Sequence, residues 1–169
     1  NGVAIGDNVT TTAAGGLALG ANSLAAIYGT EAFASGRFSA NGDCQKIANV
    51  ARNVTTSAVA TELFLDGSAI RRTVTSGKVL SLLVRVVGVK SDGSEVIKLL
   101  RDVTIKNVGG TTSLETSPVT IGTDINVSAA TLDLSADNTN DTLKIAVTPP
   151  SGTWRWEAVV DGLEIAYGT

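Results

Sequence analysis

The sequence predicts an all-β chain of two units, and three observations carry that prediction. Short apolar-Ala-apolar-Gly segments recur at a fixed spacing near the start. From Thr61 onward, stretches of alternating apolar and polar residues are separated by Gly, Pro, Asp and Asn turn signals. The apolar content comes from Ala, Val, Leu and Ile, with 4% aromatics and no Met, beside many Gly, Thr and Ser, a mixture that favours strands and tight turns over helical bundles. A chain of 169 residues accommodates one ordinary domain and a small appendage. The division expected is a repeat segment over 1–42 and a sandwich-like domain over 43–169.

The repeat is read first. Val3-Ala4-Ile5-Gly6, Leu17-Ala18-Leu19-Gly20 and Ala32-Phe33-Ala34-Ser35-Gly36 place Ala4, Ala18 and Ala32 fourteen residues apart. Ala25 lies midway between Ala18 and Ala32, and Ser39-Ala40-Asn41-Gly42 follows Ala32 by about seven. Ile5, Leu19 and Phe33 share one slot, which a flexible Gly/Ala linker has no reason to preserve. Each unit is a short strand and a turn whose inward positions are mostly Ala, so the stack gains a core only against neighbours and needs a partner surface. On these residues, 3–42 resembles the head of trimeric autotransporter adhesins, in which such fourteen-residue repeats coil into a left-handed β-roll and three chains pack around one axis. That resemblance implies a short trimeric β-roll and a homotrimer. The Gly20 to Gly36 interval is sixteen, so the last turn departs from the pattern.

Beyond Thr61, Val79–Lys90 and Glu95–Lys106 form the clearest hairpin, joined by Ser91-Asp92-Gly93-Ser94, where Asp-Gly supplies the positive φ of a tight turn. Val84, Val86 and Val89 on one arm and Ile97, Leu99, Val103 and Ile105 on the other predict a central pair, covered by a second sheet or by neighbouring subunits. Thr131–Leu134 and Thr142–Thr148 follow, the latter with Leu143, Ile145 and Val147 on one face. Pro149-Pro150-Ser151-Gly152 predicts a turn. Thr153–Val160 returns with Trp154, Trp156, Ala158 and Val160 on one face, and Asp161-Gly162 leads into a last strand, Leu163–Tyr167. The expected arrangement is an antiparallel meander.

From Gly42 to Thr169 the chain resembles the C-terminal domain of phage tail-fibre and collar-type proteins. The matching elements are Gly42-Asp43-Cys44-Gln45 with Arg52 and Thr55-Thr56, then Thr61-Glu62-Leu63 with Asp66-Gly67. Near the end come Asn140-Asp141-Thr142-Leu143-Lys144-Ile145-Ala146-Val147-Thr148 and Arg155-Trp156-Glu157-Ala158. Agreement is weakest between Leu114 and Ala130. The resemblance implies a structural, receptor-contacting tip and carries no site residue with it.

Charge and side-chain chemistry narrow the function. A formal charge of −3 with scattered basic residues offers no track for a phosphate backbone, so no nucleic-acid partner is expected. The longest apolar run, Val79 to Val89, is broken by Ser81, Arg85 and Gly88 and is too short to span a bilayer as a helix, so no membrane insertion is expected. The lone cysteine, Cys44, reads as a small buried apolar residue. With no His, neither a Ser-His-Asp nor a Cys-His arrangement can form, and a structural zinc site lacks ligands.

Paired carboxylates could still hydrolyse glycans. The candidates are Asp7, Glu31, Asp43, Asp92, Glu95, Asp102, Asp124, Asp133, Asp137, Asp141, Asp161 and Glu164, and nothing in the sequence ranks them. Trp154 and Trp156 could stack on a sugar, but their shared face with Ala158 and Val160 reads as core. Asp137-Asn138-Thr139-Asn140-Asp141 gathers oxygen ligands without EF-hand spacing and reads as an Asx-rich turn rather than a Ca²⁺ loop. Gly15-Gly16 and Gly109-Gly110 are turn glycines outside any phosphate-loop context.

The expectation is therefore a chain with no catalytic activity, cofactor or metal. It forms the distal part of a homotrimeric phage tail fibre, on the virion, contacting a host-surface glycan or protein receptor. Loops such as Ser91–Ser94, Val108–Ser117 and Ala136–Asp141 are the expected carriers of contact. The start at Asn1-Gly2, with no initiator Met, reads as a piece of something longer whose missing part would join other tail or virion proteins. The rival readings are a structural virion component, a bacterial trimeric adhesin head, and a glycan depolymerase.

Overall fold

The computed structural model describes residues 1–126 and 129–167. These residues form fourteen strands and no helix, as the composition predicts.

Strands β1 (Val3–Asp7), β3 (Leu17–Ala21) and β5 (Glu31–Ser35) pair in parallel, with Val3 opposite Leu17 and Leu17 opposite Glu31. On the other side of each coil, β2 (Thr10–Thr11) and β4 (Leu24–Ala25) pair in parallel with the same offset, Thr11 opposite Ala25. Each coil is thus fourteen residues long. Ala18, Ala25 and Ala32 are fully buried between the two strips, so the interior is the alanine column the spacing predicts. The expected irregularity after Gly20 does not occur in the ladder, because Ala34 takes the position opposite Gly20. Glycine is required at Gly20 itself: φ is +90°, and a Cβ there would lie 2.1 Å from the carbonyl oxygen of Ala34 on the next coil.

The coils are continuous with the rest of the chain. β5 pairs antiparallel with β6 (Cys44–Thr55), which pairs with β14 (Trp154–Ala166). The nine-stranded sheet then continues through β8 (Lys78–Lys90), β9 (Val96–Val108) and β10 (Thr111–Leu114), with β11 (Val119–Thr120) also on β9. A three-stranded sheet of β12 (Thr131–Asp137), β13 (Thr142–Thr148) and β7 (Thr61–Glu62) lies against it. The core fills the space between the sheets. Val84, Val86, Leu99, Ile105, Trp154 and Trp156 come from the large sheet, and Leu134, Leu143, Ile145 and Val147 from the small one, so the antiparallel part is sandwich-like.

Four features depart from the sequence reading. Asp161-Gly162 is not a turn: β14 runs unbroken for 13 residues. Gly162 is there for close approach, since a Cβ would lie 2.0 Å from the carbonyl oxygen of Ser81 on β8. Nor is there a meander, because Pro149–Gly152 carries the chain from one sheet to the other and β14 inserts between β6 and β8. Finally, β6 is a 12-residue strand where alternation predicts none, and Val89 belongs to the outward face of β8 rather than the core.

Candidate functional site

Two places collect functional-type side chains: a buried polar cluster that joins the coils to the large sheet, and the outward face of that sheet.

The cluster starts from the inward face of β6, which carries Gln45, Asn49 and Asn53 where apolar residues would be expected. Gln45 accepts from the Leu24 amide through Oε1 (2.9 Å) and donates from Nε2 to the Leu24 carbonyl (3.1 Å), copying the pairing of a neighbouring strand. Asn49 donates to the Thr30 hydroxyl (2.8 Å) and the Tyr28 carbonyl (3.3 Å). Behind them Glu164 pairs with both Arg72 and Lys78, and Arg72 also donates to Asn49 and Thr30. Burial lowers the Arg72 pKa and the Glu164 carboxylate draws it back up. Together these groups hold β4 and the 28–30 turn against β6 and β14.

Asp43 closes the same junction. Its carboxylate accepts from the amides of Phe38, Ser39 and Ala40 at 2.6–2.9 Å. Burial raises its pKa, but those amide hydrogen bonds outweigh the burial and bring it down to about 2.

The outward face is different in kind. Following the register across the strands, Ile5, Leu19 and Phe33 continue through Lys46 to Leu163 in one row. Ile5 is 60% exposed, Phe33 50% and Leu163 54%, so the slot shared by the large apolar residues lies outside the chain's own core. Val50 and Val54 on β6, Ile165 on β14 and Val87 and Val89 on β8 face the same way. Two shallow grooves run along it. One of about 750 Å³ is lined by Arg52, Arg85, Arg155 and Glu157 with Val54 and Val87 among others. The smaller, about 240 Å³, lies between Phe33, Cys44, Lys46, Leu163 and Ile165. Arg52 is fixed by donating to the carbonyls of Leu65 (3.1 Å) and Asp66 (2.9 Å).

The carboxylates named from the sequence are dispersed. Asp124 pairs with Arg101 at 2.8 Å, Glu95 with Lys90 at 2.7 Å across the hairpin turn, and Glu164 lies in the buried cluster. Asp43 and Asp92 hold turns, Asp7 contacts Asn8, Asp133 accepts from Ser135 and Asp141 from Thr112. Glu31, Asp102 and Asp161 face outward on the large sheet.

Asp137 accepts from the amides of Thr139 (3.0 Å) and Asn140 (3.2 Å), the geometry of an Asx turn. Its pKa is lowered, first by the Asn140 side chain. Among the described residues no group of three or more His, Cys, Asp or Glu side chains comes together.

Trp154 and Trp156 are buried, their rings stacked 5.7 Å apart, and the Trp156 indole N–H donates to the Thr55 hydroxyl at 3.0 Å. Cys44 is half-buried on the outward face, not in the core. Of the expected contact loops, Ser91–Ser94 is a turn, with Asp92 accepting from the Ser94 amide and hydroxyl. The 138–141 stretch is also a turn, but most of Val108–Ser117 is occupied by β10 and its turn onto β9. No described helix is long and apolar enough to cross a membrane.

No protein-family model matches the chain, and no curated protein matches it. The chain is similar to two solved structures. One is the tailspike protein gp49 from Acinetobacter baumannii bacteriophage Fri1, a capsular polysaccharide depolymerase, at 11% identity and a TM-score of 0.44 over 81% of this chain and 20% of that one. The other is the tailspike protein of Acinetobacter phage vB_ApiP_P1, at 14% identity and a TM-score of 0.35 over 79% of this chain and 24% of that one. The chain therefore spans about a fifth to a quarter of the tailspikes it matches. The first neighbour is a polysaccharide depolymerase, an enzyme, so the expectation of a chain without catalytic activity does not stand.

Proposed function

We propose that this chain is the distal part of a homotrimeric phage tail fibre or tailspike that attaches the virion to the host surface. One observation carries the reading. The fourteen-residue coils stack along one direction and their last strand pairs straight into a large antiparallel sheet, so an extending stack ends in a broad two-sheet tip. A stack with an alanine interior and its large apolar residues outside gains stability from neighbouring copies, which supports the trimer. Three copies on one axis make weak individual contacts effective through avidity. The receptor is a glycan or protein of the host surface, met by turns at the tip such as 91–94 and 138–141.

The test is binding of fluorescent full-length chain to encapsulated and capsule-free bacteria, beside a version with both turns replaced by Gly/Ser. Loss of binding in the replaced version supports the turn assignment, and undiminished binding rejects it. A well-folded chain that binds no cell favours the structural-spacer reading. Assaying the same incubation for new reducing ends separates attachment alone from attachment with cleavage.

A further inference from the structure

We infer that the outward face of β6, β14, β8 and β9 is the surface on which copies of this chain meet, so that the tip assembles through its own sheet and not only through the coils. This rests on the trimer reading above and adds to it where the contact lies.

The chain's second sheet covers only one side of the large sheet. On the other side Val50, Val54, Leu163 and Ile165 are between 44% and 54% exposed, and Leu163 continues the row that begins at Ile5 and Phe33 on the coils. A sheet face that exposes several large apolar side chains among charged ones marks an interaction site. Its size fits a protein partner: strands of 12 and 13 residues are about 40 Å long, and β6, β14, β8 and β9 side by side are about 20 Å wide. The product, on the order of 800 Å², is the area one partner contributes to a stable interface.

Charge identifies the partner. Lys46, Arg52, Arg85, Lys98, Lys106 and Arg155 are interspersed with Glu31, Asp102, Glu157 and Asp161 on this face, so it carries both signs, as a surface that meets other copies of itself can use, rather than one. Among the described residues Lys46 and Arg85 make no ion pair. Those two cations can pair with carboxylates of a second copy.

Leu163→Lys and Val50→Lys test the assignment in the full chain, because both side chains already point outward and neither fills the chain's own core. Mass is read by light scattering, folding by circular dichroism, and coverage by alkylation of Cys44, which lies opposite Ile165 on this face. The expected result is an assembled wild type and a folded, dissociated variant whose thiol reacts at least about tenfold faster, because access limits a thiol's reaction rate. Variants that stay assembled with Cys44 still protected overturn the face assignment and leave the trimer reading intact. A folded monomeric wild type overturns both. Dissociation together with unfolding would show that the face is needed for folding, and Val54→Lys, at the far end from the coils, then decides: a folded, assembled variant overturns the proposal, and a folded, dissociated one upholds it.

Discussion

The coils and the tip bury their residues in opposite ways. In the coils the interior is Ala18, Ala25 and Ala32, while Ile5 and Phe33 stand outside; in the tip Trp154, Trp156, Ile97 and Leu99 are inside and smaller groups flank them. Burial stabilises in proportion to the apolar area removed from water, so the tip contains its own driving force and the coils do not. The coils are held instead by polar stitching to β6, through Gln45, Asn49 and the Arg72–Glu164–Lys78 group, and by whatever covers their outer row. A segment with little core of its own can thus be kept folded by its neighbours.

The sharpest way to break this contrast is to hollow out the tip. Trp156→Ala removes a buried indole and is expected to lower stability by about 3–5 kcal/mol, measured by denaturant unfolding. Phe33→Ala in the coils should cost far less in a dissociated chain, because half of that ring is already exposed. Glu164→Ala probes the junction: it leaves Arg72 buried without its counter-charge, at an expected cost of roughly 3–5 kcal/mol. Hydrogen exchange on this variant should show the coil amides opening before those of β8 and β9. If they open together, the junction is not what holds the coils.

Much of this was legible in the sequence. The fourteen-residue spacing of Ala4, Ala18 and Ala32 is the register of the parallel ladder, and Thr142–Thr148 and the hairpin about Asp92-Gly93 appear where alternation and turn chemistry place them. What was hidden has physical causes. β6 conceals its alternation because its inward face carries Gln45, Asn49 and Asn53, whose partners are distant in sequence. Gly162 looks like a turn glycine, but its role is to let β8 pass close by, which only the paired strand reveals. The Arg72–Glu164 pair joins residues 92 positions apart and has no local signature.

Two smaller effects sharpen the comparison. Ala18→Leu overfills the alanine column and is expected to cost about 1–3 kcal/mol, a penalty a looser linker would not show. Asp43→Asn weakens three amide hydrogen bonds and should cost roughly 1 kcal/mol near neutral pH. Because the folded-state pKa of Asp43 is held at about 2, below its unfolded value near 4, its contribution is fully present above about pH 4 and fades as pH falls towards 2. The Asn variant should therefore lose less stability than the parent across that window.

The central claim is that the coils depend on other copies of the chain, and mass in solution tests it most directly. Light scattering on the eluting full chain should give three times the 17.2 kDa of one chain, with a melting temperature that rises with concentration. A single folded copy, melting at the same temperature at every concentration, would contradict the account.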